Sequence, residues 1–466
     1  MKKQVILGLA IYQSIKTKLK FALFMVALTT FVISCDDFPH KSPHGEGHPG
    51  GLNLVKKYPA DVAIQWINLQ QRLIKTTSGF DPLVASRSFA YSGLALYESV
   101  LKGMPGYRSV VSPRMGTNIN TVPDKQNIHW AASANAAMAS ILKDLFGNTS
   151  AANQASIDSL EAALNSVFQS QTNAQIVGQS ADYGRKIAQH IFEWSKTDGG
   201  HEAYLKATSD TYVPPTGPGK WIPTSPANPK PIRPYWGDNR SFVDNSANAT
   251  MPPPPPAYSE ENGSVFYKMA EELYKISLTL SEDQIKIAKH WADLPGNYGT
   301  PAHYTHIATQ LIWKNNYKLD DAVLVYAKHG IALNEALISV FKAKYTYNLI
   351  RPMSYIRNVM GHADWNTVVG TPPHPEYPSA HSVIGGASST VLADFFGKNH
   401  SFVDRTHEDL YGSRTYSSPK AYAEEAGLSR VLGGIHYKLS ADVGLAQGEK
   451  VGKLVNNVPF KGHGNN

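Results

Sequence analysis

The chain has a single cysteine, Cys35, in 466 residues, so no intramolecular disulfide can form and the fold must be held by packing. Convincing period-2 alternation is absent, which argues against a β-sheet domain. The apolar run at 21–34 is shorter than the ~20 residues a membrane span needs. Little excess charge remains once the first 34 residues are set aside. They hold five lysines (Lys2, Lys3, Lys16, Lys18, Lys20) and no acids, so their removal takes the formal net charge from +7 to +2. The pI near 9.0 therefore does not point to a nucleic-acid partner. No convincing ligand environment for haem is present.

What is there describes a globular chain: 42% hydrophobic and 17% charged residues, with length for two or three domains. Residues 1–34 have the lysine-then-apolar pattern of a signal peptide. The segment Val32-Ile33-Ser34-Cys35 resembles a bacterial lipobox, which implies export and a lipid anchor at Cys35, in the periplasm, the outer membrane or at the cell surface. Residues 35–57 then form a lipidated flexible tether rich in Gly, Pro, His and charge. His40, His44 and His48 lie in it and read as solvated residues rather than a metal site, because nothing fixes them.

From about Pro59 the spacing turns helical. Val62, Trp66, Leu69 and Leu73 share one face, and Asp61 sits in the first turn, where its charge suits the helix dipole. Further helical patterns cover 83–102, 127–146, 153–171 and 174–196, giving an N-terminal bundle over 58–199. Residues 200–262, with the proline run Pro252 to Pro256, cannot sustain a helix and form a long wrapping loop. Trp221, Tyr235 and Trp236 are expected to pin it down, since a free linker carries fewer aromatics. Helical patterns resume at 263–277, 281–293, 301–315, 320–343, 379–396, 419–434 and 440–456, a C-terminal helical domain over 263–466. The fold class expected is all-α: two four-helix-bundle-like halves joined by long loops.

Three short clusters stand in order in the second half: Lys344-x6-Arg351-Pro352, then Pro378-Ser379-Ala380-His381, then Ser429-Arg430-x5-His436. A tetrahedral oxyanion needs charged forks around its oxygens, which two arginines and a lysine supply. The Ser379 hydroxyl and the Ala380 amide can bond further oxygens. Two histidines remain, one to bind the central atom and one to move a proton. Lys344 and Arg351, seven apart, are expected two turns apart on one helix that Pro352 ends or kinks. Ser379 is expected at a helix N-terminus, where free N–H groups favour an anion.

The triple arrangement resembles the vanadium-dependent haloperoxidases and, within the same superfamily, the type-2 phosphatidic acid phosphatase-like acid phosphatases. Their signature is Lys-x6-Arg-Pro, Pro-Ser-Gly-His and Ser-Arg-x5-His. Ala380 is the one departure; it keeps the amide provided its backbone suits a residue with a Cβ. The stretch 82–100 is also similar to the helical first half of bacterial haloperoxidases. The resemblance implies paired four-helix bundles with the anion site in the second. It implies vanadate held by Lys344, Arg351, Ser379, Ala380 and Arg430 and bonded to His436, with His381 as acid–base residue, and with Asp293 holding His381. His374 lies where fungal chloroperoxidases of the family carry phenylalanine and algal bromoperoxidases histidine, which favours bromide or iodide.

The expected activity is oxidation of iodide or bromide by hydrogen peroxide to hypohalous acid at vanadate, without haem, with small organic molecules as acceptors. The alternative is an exported acid phosphatase in which His436 attacks phosphorus and becomes a phosphohistidine. A third reading is a non-catalytic surface lipoprotein that binds an anion; two histidines so placed argue against it.

Overall fold

The computed structural model describes residues 54–120, 127–224, 230–293 and 299–462. The expected leader, Cys35 and His40, His44 and His48 lie outside the described residues. Helices dominate: α1 (Asp61–Thr76), α2 (Pro82–Glu98), α3 (Trp130–Leu145), α4 (Ala151–Gln171) and α5 (Ala174–Ser195) make the first group. The second comprises α6 (Val265–Ser277), α7 (Glu282–His290), α8 (Thr300–Lys314), α9 (Leu319–Tyr347), α10 (Pro352–Asn358), α11 (Ala380–Phe396), α12 (Pro419–Leu432) and α13 (Lys438–Asn456). The described chain is all-α apart from a hairpin of two three-residue strands, β1 (Phe402–Asp404) and β2 (Arg414–Tyr416), which pair Phe402 with Tyr416 and Asp404 with Arg414. Strands that short carry no readable alternation.

The helices begin where their capping residues stand. The Asp81 carboxylate accepts from the amides of Leu83 and Val84, with Pro82 at the first helical position of α2. Ser281 and Gln284 form a reciprocal capping box on α7. The face expected of α1 is the buried one: Val62, Trp66, Leu69 and Leu73 face the core, and the Trp66 indole donates to Asn135 Oδ1 of α3 at 2.8 Å.

α9 is the axis. At 29 residues it is long and apolar enough to cross a bilayer, yet its most apolar 18-residue window is wholly buried, as in the core helix of a packed protein. Residues of α2 and α11 pack on it in one continuous core. Close crossings rest on glycine: a Cβ at Gly93 would lie 2.7 Å from the Tyr326 carbonyl oxygen, and one at Gly386 of α11 would lie 2.5 Å from that of Leu445 on α13. α11 and α13 therefore approach until their backbones nearly touch, which fixes where α11 begins.

The 200–262 segment is irregular apart from short helical turns, as its composition predicts. Trp221 and Trp236 are buried and anchor it, but Tyr235 is 49% exposed and does not. Arg233 adds a buried fork to Asp81 (2.7 Å), and tyrosine hydroxyls of the second helix group seize proline carbonyls: Tyr347 that of Pro252 (2.6 Å) and Tyr377 that of Pro253 (2.8 Å). Further along, the fully buried Glu335 of α9 accepts from the Phe242 amide at 2.6 Å and from the Ser246 hydroxyl.

Burial pushes the Glu335 carboxyl up to about 7, against an ordinary 4.5. A raised carboxyl binds its proton more tightly folded than unfolded, so its contribution to stability is full below about pH 4.5 and falls away as pH rises through 7. Glu335→Gln is expected to be at least as stable as wild type at pH 8 and to lose that relative standing at pH 5. Denaturant midpoints of both proteins at the two pH values check it; a pH-independent difference would contradict the buried-proton account.

Candidate functional site

The three sequence clusters converge. Lys344 lies in the last turn of α9, which ends at Tyr347 because Asn348 adopts a left-handed conformation (φ 51°) and its amide closes on the Lys344 carbonyl at 2.8 Å. Arg351 is therefore not two helical turns on from Lys344, as the spacing suggested. It is the extended N-cap of α10, with Pro352 opening a new helix rather than ending the old one. The outcome is similar in direction: both cations turn inward and are fully buried.

Each cation is clamped by carbonyls. Lys344 Nζ donates to Pro375 O (2.9 Å) and Glu376 O (2.8 Å), which leaves one of its three donors. Arg351 donates through Nε to His374 O (3.0 Å) and through Nη1 to Ile435 O (2.9 Å). Arg430, near the end of α12, gives Nη1 to Trp291 O (3.0 Å), while its Nε is buried without an acceptor. Burial, with Arg351 close by, pushes Lys344 well below its usual range, and burial holds Arg351 and Arg430 at about 10. Three buried cations crowd one space.

Gly433 and Gly434 (φ 78°) reverse the chain after α12 and carry His436 back beside Arg351. Two contacts fix its tautomer. Nδ1 donates to Glu376 Oε1 at 2.8 Å, and Nε2, 3.3 Å from Arg351 Nη1, can only accept from that permanent donor. Burial, then the charges of Arg351, Lys344 and Arg430, hold the ring well below the ordinary imidazole range. His436 thus turns its Nε2 lone pair toward the cationic pocket, where Arg351 Nη1 meets it. His374 faces Arg351 Nη2 through Nδ1 (3.0 Å) and packs on Phe341.

Ser379 is the N-cap of α11, as expected, and its Oγ accepts from the Ser382 amide at 3.5 Å. Ala380 opens the helix and is not among the positive-φ residues, so the methyl is accommodated and the amide kept. The amides of Ala380 and His381, in the first turn, have no intrahelical acceptor. His381 is only partly buried; its Nε2 lies 3.1 Å from Thr300 Oγ1. Burial and then Arg430 keep it well below the ordinary imidazole range.

Asp293 is the departure from the expected set. Its Oδ1 accepts from His303 Nδ1 (3.0 Å) and His407 Nε2 (2.9 Å), while Oδ2 is buried without a partner. It reaches His381 and Arg430 through charge and holds neither by a hydrogen bond. Glu376 was not singled out by the sequence: a lone carboxylate in a proline-rich stretch has no spacing signal, although its place five residues before His381 could have flagged it.

A helical protein with a buried cationic, two-histidine pocket of the kind that suits an oxyanion is the class this fold and site define. Residues 324–461 match the family model of the VCPO second helical-bundle domain. A crystal structure of a bacterial vanadium-dependent iodoperoxidase is 33% identical, over 90% of this chain and 99% of that one, with a TM-score of 0.77. Holo- and apo-type bacterial vanadium-dependent chloroperoxidases share the fold at 16% and 15% identity (TM-scores 0.67 and 0.64), over 83% and 82% of this chain and 93% and 94% of theirs. A sequence comparison with curated proteins gives no match. The chain belongs to the vanadium-dependent haloperoxidases.

The residues present suit vanadate: an unsatisfied Arg430 Nε, a spare lysine donor, open helix amides and an imidazole lone pair are what a tetrahedral oxyanion and its central atom take. Glu376→Ala should lower vanadate affinity about 10–100-fold by freeing the His436 ring, and Glu376→Gln, whose carbonyl still accepts from Nδ1, should keep most of it. Equilibrium dialysis of metal-stripped protein against orthovanadate measures this. Equal affinities in Glu376→Ala and wild type would show that the hydrogen bond does not orient His436.

Proposed function

We propose that this haloperoxidase oxidises iodide and bromide with hydrogen peroxide, converting halide, peroxide and a proton to hypohalous acid and water. The observation that carries the proposal is the His436 Nε2 lone pair, oriented by Glu376 and Arg351 within the field of the buried Lys344, Arg351 and Arg430. Vanadate, when bound, supplies Lewis-acid activation of the peroxide without changing oxidation state. The chain does the rest. Lys344, Arg351, Ser379, Arg430 and the Ala380 amide would hold the oxyanion, and His436 would supply Nε2 to its central atom. His381, unprotonated and partly open, takes a proton from the incoming peroxide and returns one to the departing oxygen.

Two observations support the softer halides. The 33% identical neighbour is an iodoperoxidase. His374 places a polar ring beside the pocket, held by Arg351, where a purely apolar side chain would remove the side-chain acceptor that faces Arg351 Nη2. The competing reading, an exported acid phosphatase, uses the same lone pair to attack phosphorus and His381 to protonate the leaving group. Metal-stripped protein assayed with iodide, bromide and peroxide, with and without orthovanadate, and separately with a phosphate ester, decides between them. Vanadate-restored halide oxidation, lost in His436→Ala, is expected; ester hydrolysis inhibited by vanadate, with no halide oxidation, would make the chain a phosphatase.

We propose further that Cys35 carries a lipid after export. Its support is the lipobox-like Val32-Ile33-Ser34-Cys35. Labelling of cells with radioactive palmitate should mark the wild-type protein and leave Cys35→Ser unlabelled; labelling of both would remove the anchor from that residue.

A further inference from the structure

Below the anion pocket, on the far side of Asp293, lies a second polar cluster that the reaction does not use. Its members come from distant parts of the chain. His290 ends α7, His303 stands in the first turns of α8, and Asp404 closes β1. All three are buried, with side-chain exposures of 1%, 0% and 0%. Among the described residues no lysine or arginine side chain forms an ion pair with the Asp404 carboxylate; the imidazoles of His290 and His303 face it instead.

The Asp404 Oδ2 atom is 3.2 Å from His290 Nε2 and 2.9 Å from His303 Nε2, and all three ligand atoms lie within 4.8 Å of one another. Around a zinc ion with bonds of about 2.0–2.1 Å, tetrahedral ligand atoms stand about 3.3 Å apart, close to the two separations to Asp404. The outer atoms of Asp404 and His303 are occupied as metal ligands require, whereas His290 Nδ1 is buried without a partner. Asp404 Oδ1 accepts from the Thr406 amide (2.9 Å), the Thr406 hydroxyl and Gln310 Nε2 (3.3 Å). His303 Nδ1 donates to Asp293 Oδ1 at 3.0 Å, the carboxylate–histidine pairing that orients a ligating imidazole, and the Trp291 indole stacks on the ring with centroids 4.4 Å apart.

We propose that His290 Nε2, His303 Nε2 and Asp404 Oδ2 bind one divalent transition cation of the zinc class, with a fourth position for water. Charge argues the same way. Asp293 and Asp404 are two carboxylates in a fully buried cluster, and one divalent cation balances both. Without it, the same contacts need His303 doubly protonated between the two carboxylates, with His290 and His407 as further donors. Binding the cation releases the proton on His303 Nε2 and shifts that of His290 from Nε2 to Nδ1, so one proton leaves per ion bound. The site pins α7, α8 and β1 together and, through His303, fixes Asp293. It stands whether the anion pocket turns over halide or phosphate ester.

The full chain, stripped with EDTA, is titrated with Zn2+ and with Co2+, bound metal being read by elemental analysis and, for Co2+, by visible d–d absorption. About one ion per chain is expected, with release of about one proton at neutral pH measured by calorimetry in buffers of different ionisation enthalpy. His290→Ala should abolish uptake and the cobalt spectrum, and Asp404→Asn should weaken both. His436→Ala, in the anion pocket, and a protein with His40, His44 and His48 all changed to Ala should keep them. Failure of the folded, stripped wild type to take up either ion would overturn the site and leave an imidazolium held between two carboxylates. Uptake unchanged in His290→Ala would place the ion elsewhere and overturn it equally. If Asp404→Asn does not fold, the His290→Ala spectrum and the wild-type proton count still decide.

Discussion

Three cationic side chains with almost no exposure share one pocket, and the architecture around them serves to make that tolerable. An unpaired buried charge costs several kcal/mol even after relaxation. Here much of that cost is offset by backbone carbonyls, those of Trp291, His374, Pro375, Glu376 and Ile435, which turn their negative ends on Lys344, Arg351 and Arg430. The carbonyls satisfy some of the guanidinium and ammonium donors, leaving Arg430 Nε without an acceptor, and do not cancel the charge as carboxylates would. The pocket remains positive and incomplete, and that incompleteness is the binding energy available to an oxyanion.

Every chain reversal near the site bears on this arrangement. Asn348 stops α9 one turn beyond Lys344, and Arg351 then leaves the extended backbone toward the same point. The Gly433-Gly434 reversal brings His436 in from the opposite side. α11 supplies open amides because its close contact with α13 fixes its register, and Ser379 caps it. Among the described residues Glu376 is the carboxylate bonded to a pocket histidine, and it sits behind His436, where it orders the ring while lying on the side away from the lone pair. Burial holds its pKa up at about 7, with Lys344 and Arg351 drawing it down.

Much of this was legible in the sequence. The helices were, because an amphipathic period and a capping serine or aspartate are local signals: Ser150, Asn173, Ser264 and Ser418 each begin a helix that the pattern placed within a few residues. The three motif clusters contain the cations and both histidines that the fold brings together. What escaped was set by geometry across the chain. A helix stop at Asn348 has no glycine to announce it. Glu376 acts through a hydrogen bond to a residue 60 positions away, and the His290, His303 and Asp404 group is spread over more than a hundred positions. Asp293 was placed near the right histidine by resemblance, but its hydrogen bonds go to His303 and His407, which only the packing of α7 and α8 reveals.

The proline run of the wrapping segment has a chemical asymmetry that matters beside such a pocket. A chain of prolines from 252 to 256 offers carbonyl oxygens and not a single amide proton. Tyr347 and Tyr377, neighbours of the Lys344 and Ser379 segments, hold it by those carbonyls. A strap built this way is an acceptor-only surface: it can be fastened by hydroxyls, but it has nothing to donate to an oxyanion. Ordinary loops carry stray N–H groups that would draw phosphate or vanadate to their own edges. The run from Pro252 to Pro256 has none, so the two tyrosine hydroxyls that fasten it meet acceptors alone.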